Sequence, residues 1–158
     1  MKVKGALLCV WLTAPLPIAL WAQGLPRSLE EAAAWEKASA LSPTRLYSDV
    51  KSLGSTKPGD LLGHESATQY EFSKDFKAVR ILYHSRDALN QDEATWGVVL
   101  LPSGAAPEGG WPVIAWGHGT NGVATACAPS LMKGVWYWDE GLSDMVHAGF
   151  AVVATDYH

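Results

Sequence analysis

An α/β architecture built on a mixed sheet is what this sequence predicts, and three observations carry it. Residues 76–84 and 96–101 are two strand-like segments joined by a polar connection. Residues 112–116 and 150–155 are short, almost wholly apolar runs, the pattern of strands buried on both faces. Between those two runs lie a Gly-rich loop and a helix signal. Strand, loop, helix and strand make a βαβ unit, which adds a parallel pair to the antiparallel one.

Taken in order, the chain opens with Lys2 and Lys4 ahead of an apolar run over 6–20. Pro15 and Pro17 interrupt that run, and it is short for a membrane span, which needs ~20 apolar residues. Residues 1–22 therefore read as a secretory signal peptide, cleaved after Ala22 or Gly24. An N-terminal membrane anchor is the alternative. Export would make the protein secreted or periplasmic.

Residues 23–56 read as a helical arm and loop lying over the body. Ser28 and Glu31 have capping-box spacing ahead of a helix that Pro43 ends. Residues 46–63 read as loop, with turn chemistry at Lys57, Pro58, Gly59 and Asp60. The remaining segment, 57–158, holds the sheet. In its first strand Val79, Ile81 and Tyr83 share one face, while Ala78, Leu82 and the charged Arg80 share the other. The polar stretch 85–95 suits a long hairpin connection. Asp139 caps the predicted helix, Leu142, Met145 and Val146 form its apolar side, and Gly149 stops it.

Composition sets limits on function. At 158 residues the chain allows one modest domain, and 48% hydrophobic with 18% charged residues is a globular balance. The net charge of −4 excludes a basic nucleic-acid footprint. Eight Trp imply large apolar surfaces or aromatic grooves; Trp136, Tyr137 and Trp138 either pack a loop or line an acyl groove. Cys9 would leave with the signal, so Cys127 would have either a partner elsewhere or a buried thiol.

Ligands of open α/β sheets bind beyond the carboxyl ends of the strands. Two groups fall there: the loop from Gly117 to Gly122, and Asp156 with Tyr157 and His158. Gly117, Gly119 and Gly122 permit close backbone approach and positive φ. Such a loop can aim N–H donors at an oxyanion, or it can be a tight turn with no ligand. The same glycines match G-x-G-x-x-G, the dinucleotide fingerprint, with Asp156 placed to bind a ribose. Against that reading, 124–130 with Pro129 continues as loop where the fingerprint needs a helix. Two strand signals precede the loop, and an export signal points away from nicotinamide cofactors. A metal site using Cys127 and the nearby His lacks ligand spacing.

Residues 111–130 resemble the secretory, lipase A-type branch of the α/β-hydrolase fold. The matching blocks are the run from Pro112 through His118, Gly119 and Thr120, the run Cys127, Ala128, Pro129, Ser130, and the run from Gly149 to Asp156 and Tyr157. Residues 80–85 and 96–102 resemble that family's first strands, so the likeness spans about 57–158. It implies hydrolysis of carboxylic esters by a Ser-Asp-His triad with no cofactor or metal. It implies an oxyanion role for Asp156, with Gly119 and Thr120 as further donor candidates. It implies a disulfide from Cys127 to a cysteine outside this chain. It also implies a strand order in which the fourth predicted strand inserts between the second and third.

The departure is the nucleophile. The fold places it on a G-x-S-x-G elbow after the next strand, and the sequence contains none. Gly141 and Ser143 give only half of one, inside the predicted helix. Ser130 is loop-bound with no assigned base. His118, His147 and His158 are misplaced by chain order and read as loop or surface imidazoles. The expectation is the N-terminal part of an α/β-hydrolase sheet, incomplete here: a fragment of an exported lipase or esterase whose triad lies beyond this chain, inactive alone. Its substrate would be an ester or lipid, with a transient lipid interface left open; nothing points to a protein partner. The alternatives are a non-catalytic binding or structural module and, less favoured, a dinucleotide-binding domain.

Overall fold

The computed structural model describes residues 26–50, 52–71, 76–120, 122, 124–135 and 141–157. The expected signal peptide, the Trp136 to Trp138 cluster, Asp139 and His158 lie outside the described residues. The chain divides into two compact units, Met1–Trp35 and Glu36–His158. In the first unit Ser28 caps α1 (Leu29–Ser39), its Oγ accepting from the Glu31 N–H at 3.1 Å. The Glu31 carboxylate reaches back to the Arg27 N–H at 2.6 Å, one residue earlier than the usual reciprocal bond.

The second unit is built on a mixed five-stranded sheet. Its strands are β1 (Leu61–Ala67), β2 (Phe76–Arg86), β3 (Asp92–Pro102), β4 (Val113–Trp116) and β5 (Ala151–Thr155), in the order β1-β2-β3-β5-β4. Only β4 and β5 are parallel; the other pairs are antiparallel. β5 thus lies between β3 and β4, the order that the resemblance implies. A short helix, α2 (Arg45–Ser48), precedes β1, and Thr44 caps it by accepting from the Leu46 N–H. A six-residue helix, α3 (Leu142–His147), leads into β5.

The core lies on one side of the sheet. Val98 and Leu100 of β3 and Val152 and Ala154 of β5 pack against Leu142 and Val146 of α3 and against Val135. Gly97 lets β3 and β5 approach, because a Cβ there would sit 2.6 Å from the Ala154 carbonyl oxygen. On β2 the face carrying Arg80, Leu82 and His84 is the buried one. The opposite side of the sheet holds an open groove of about 540 Å³, lined by Leu61, Ile81, Tyr83, Ala115, Trp116 and Val153 among others.

Four expectations need correction. Residues 46–63 are not all loop: Arg45–Ser48 is the helix α2, and 61–63 open β1, which pairs with β2 from Leu61↔Tyr83 to Ala67↔Ala78 through an irregularity near Gly63. The β2–β3 connection is not long, since the ladder continues to Arg86↔Asp92. Asp87 closes the turn by accepting from the N–H groups of Leu89 and Gln91, and Asn90 takes the left-handed φ of 63°. β4 is not buried on both faces: Val113 is 67% exposed, because the strand is outermost in the described sheet and one of its sides faces the open groove. Finally, α3 begins only at Leu142, after Gly141 at φ 82°.

Candidate functional site

Because β4 and β5 run parallel and adjacent, their carboxyl ends open on one rim. The turn from Gly117 to Thr120 leaves β4 there, and Asp156 and Tyr157 leave β5. Gly117 to Thr120 follow the last ladder pair, Trp116↔Ala154. Gly119 and Thr120 are exposed, while His118 is buried with Nδ1 2.6 Å from the Gly119 carbonyl oxygen. The His118 ring stacks on Tyr157 at 4.1 Å between centroids.

The glycines of this loop serve two different ends. Gly117 allows close approach of the Tyr157 side chain, whose hydroxyl a Cβ there would meet at 2.9 Å. Gly122 is the one with positive φ, 112°, and a Cβ there would meet the Cys127 sulfur at 2.8 Å. After Gly122 come two 3-10 turns, Thr125–Cys127 and Pro129–Leu131. Among the described residues no α-helix opens at the loop, so the dinucleotide fingerprint lacks the helix N-terminus that would receive a pyrophosphate.

These turns carry Ser130 to the rim, where it is fully buried. Its N–H donates to Asp156 Oδ1 at 2.9 Å, and its hydroxyl bonds Asp156 Oδ2. The Tyr47 hydroxyl of α2 lies 2.5 Å from the Ser130 hydroxyl. On the other side, the Ser130 carbonyl accepts from the Tyr70 hydroxyl at 2.6 Å and from Arg80 Nε at 3.1 Å. Arg80 also pairs with Glu65 at 3.2 Å, and Thr44 donates to the same carboxylate. Ser130 is therefore closed to a substrate carbonyl, and its hydroxyl faces a carboxylate rather than an imidazole.

Asp156 is also fully engaged. Its N–H, the donor that an oxyanion role would use, donates to the Trp96 carbonyl at 2.8 Å, and both carboxylate oxygens take bonds from Ser130. The Gly117 to Thr120 turn lies on the same rim. A cavity of about 230 Å³ sits beside this turn, lined by Tyr47, Trp96, His118, Cys127, Asp156 and Tyr157 among others. Burial pushes the Tyr47 phenol well above its ordinary range, and it pushes Tyr70 up to about 12. Both phenols are protonated at neutral pH, as an ordinary tyrosine is.

The structure brings together Asp156, Ser130, His118 and Cys127, and it places Gly119 and Thr120 on the exposed side of the same turn. His147 lies apart on α3, edge-on to Phe76. Sequence reasoning missed Tyr47, Tyr70 and Glu65. The signal that pointed to them was Arg80, a charged residue on an otherwise apolar strand face, which requires buried partners.

No family model matches the chain, and neither does any curated protein sequence. Among solved structures the chain is similar to Candida antarctica lipase A in its closed state, with 14% identity and a TM-score of 0.48. That alignment covers 74% of this chain and 28% of the lipase chain, so the present sequence spans well under a third of that protein's length.

Proposed function

We propose that this chain supplies the oxyanion side of a carboxylic-ester hydrolase, exported to a secreted or periplasmic location, acting on an ester or lipid. The observation that carries this reading is the meeting of the Gly117 to Thr120 turn with the Asp156 segment at the carboxyl ends of β4 and β5, where His118 and Asp156 both line the 230 Å³ cavity. In this reading Gly119 and Thr120 donate N–H groups to the carbonyl oxygen as it gains charge. Donors fixed by the fold before reaction act more strongly there than mobile water, and loss of one such donor costs about 10²- to 10³-fold in turnover. Asp156 holds the rim instead of donating. The nucleophile, base and acid of a Ser-Asp-His triad come from sequence outside these 158 residues, and no cofactor is needed.

The test is a nitrophenyl ester assay on the whole protein encoded by the reading frame that contains this sequence, beside the 158-residue chain alone. Turnover by the whole protein, lost on replacing a G-x-S-x-G serine, is the expected result. The shorter chain should stay at background. An inactive whole protein would favour the non-catalytic module, and robust turnover by the 158-residue chain would refute the division of the site.

A further inference from the structure

We infer that Tyr47 and Ser130 form a one-way hydrogen-bond relay onto the Asp156 carboxylate, which makes both of them positioning residues for the rim of the site. The direction follows from counting protons. An ionised carboxylate only accepts, and a serine hydroxyl has a single proton to give. Asp156 takes the Ser130 N–H on Oδ1 and the Ser130 O–H on Oδ2. With that proton committed, the short contact between the Tyr47 and Ser130 hydroxyls must run from Tyr47 to Ser130. The raised pKa of Tyr47 keeps its proton available for this bond.

The relay is anchored at both ends. Tyr47 stacks on Trp96 with ring centroids 5.6 Å apart and planes within 11°, which fixes the donor. The Trp96 carbonyl accepts from the Asp156 N–H, and the Trp96 indole N–H donates to the Leu46 carbonyl at 2.9 Å. Tyr47, Trp96, Asp156 and Ser130 thus close a ring of contacts that joins α2, β3, the end of β5 and the 3-10 turn. Tyr47, Trp96 and Asp156 all line the cavity, so a turn of the Asp156 carboxylate would alter its wall. Bonds polarised in one direction reinforce each other, and each hydroxyl is held more firmly than it would be alone.

This inference rests on the hydrolase reading for its kinetic consequence, though not for its geometry. The experiment makes Tyr47→Phe, Ser130→Ala and the double variant in the whole protein. Tyr47→Phe keeps the ring on Trp96 and removes only the donor. Each single change should lower kcat about tenfold to a hundredfold, the scale of a displaced site, with KM within about twofold. The double variant should fall no further than Ser130→Ala, since both changes cut the same chain. A Ser130→Thr enzyme, which keeps the hydroxyl, should recover part of kcat. Tyr47→Phe with wild-type kcat, or strictly additive losses, would overturn the relay. If the wild-type protein shows no turnover, the hydrolase reading fails by itself. The same variants in urea unfolding then decide the relay, with coupled midpoints supporting it and additive ones refuting it.

Discussion

Arg80 keeps a guanidinium charge at a position only 1% exposed, and its surroundings explain how. Burial opposes the charge, but the hydrogen bond to Tyr70, charge interactions with the Tyr70 and Tyr47 phenol groups and the hydrogen bond to Glu65 outweigh it, so its pKa is raised. The guanidinium also lies 5.9 and 5.5 Å from the Tyr47 and Tyr70 ring centroids. Tyr70 bridges this cation to the Ser130 carbonyl, and it gives the site a measurable alkaline limit. Its folded pKa, about 12, lies above the ordinary value of 10. Between those values the unfolded chain loses the phenol proton and the folded chain keeps it. Stability is therefore full below pH 10 and is lost as pH rises towards 12, with a slope of at most ~1.4 kcal/mol per pH unit from this group. Urea midpoints measured from pH 8 to 11.5 should fall, and Tyr70→Phe should flatten part of the fall while lowering the plateau. An unchanged slope would place the phenol in solvent. At this scale the sequence displayed Arg80 as an anomaly and Asp156 as a strand-end acid. It could not display Tyr47 or Tyr70, which reach the site from segments whose positions depend on tertiary packing.

Among the elements, legibility tracked periodicity. β2, β3 and β5 show apolar alternation or continuous apolar runs, and the structure has a strand at each. β1 shows neither, because Gly63, His64, Glu65 and Ser66 interrupt its pattern, and it exists through pairing with β2 and through Glu65 meeting Arg80. The tightness of the β2–β3 turn was hidden for a related reason: polar residues in 85–95 read as loop, yet on an exposed hairpin end they are strand residues with solvated faces. Gly97 shows the opposite case, a residue that weakens strand propensity and yet permits the sheet order. The Ala154 carbonyl leaves no room for a Cβ at that position, and the obstacle is backbone rather than a movable side chain. Gly97→Ala must push β3 from β5, where Gly97 pairs with Thr155. The expected loss is about 1–3 kcal/mol, the range for overpacked interiors. Chemical unfolding should show it, together with a weakened bond between Asp156 N–H and the Trp96 carbonyl by amide exchange. A Gly97→Ala protein of unchanged stability would mean that β3 and β5 pair more loosely than this.

For the molecule as a whole, the mixed sheet was legible and the resemblance implied the place of β5 between β3 and β4, but the outer strand β1 and the imbalance between the two faces came only with the structure. One face carries α3 and the 3-10 turns, and the other presents the 540 Å³ groove. Leu61, which lines that groove, is 57% exposed and Val113 is 67% exposed, on β1 and β4, the outer strands of the described sheet. Exposed apolar residues on an outer strand favour edge-to-edge association, and a charge placed there opposes it. β4 is the more vulnerable edge, being short, almost entirely apolar and without a charged residue from Val113 to Trp116. β1 already carries Glu65. The 158-residue chain should therefore lose solubility with rising concentration, and Val113→Lys should restore more of it than Leu61→Lys. Light scattering across a concentration series measures both. Val113 is a sound place for the change because its side chain lies largely in solvent, so lysine there removes little packing and adds a charge that an incoming strand would have to bury. Equal solubility of wild type and both variants at high concentration would show that the edge of β4 is protected, and would assign its exposed residues no part in association.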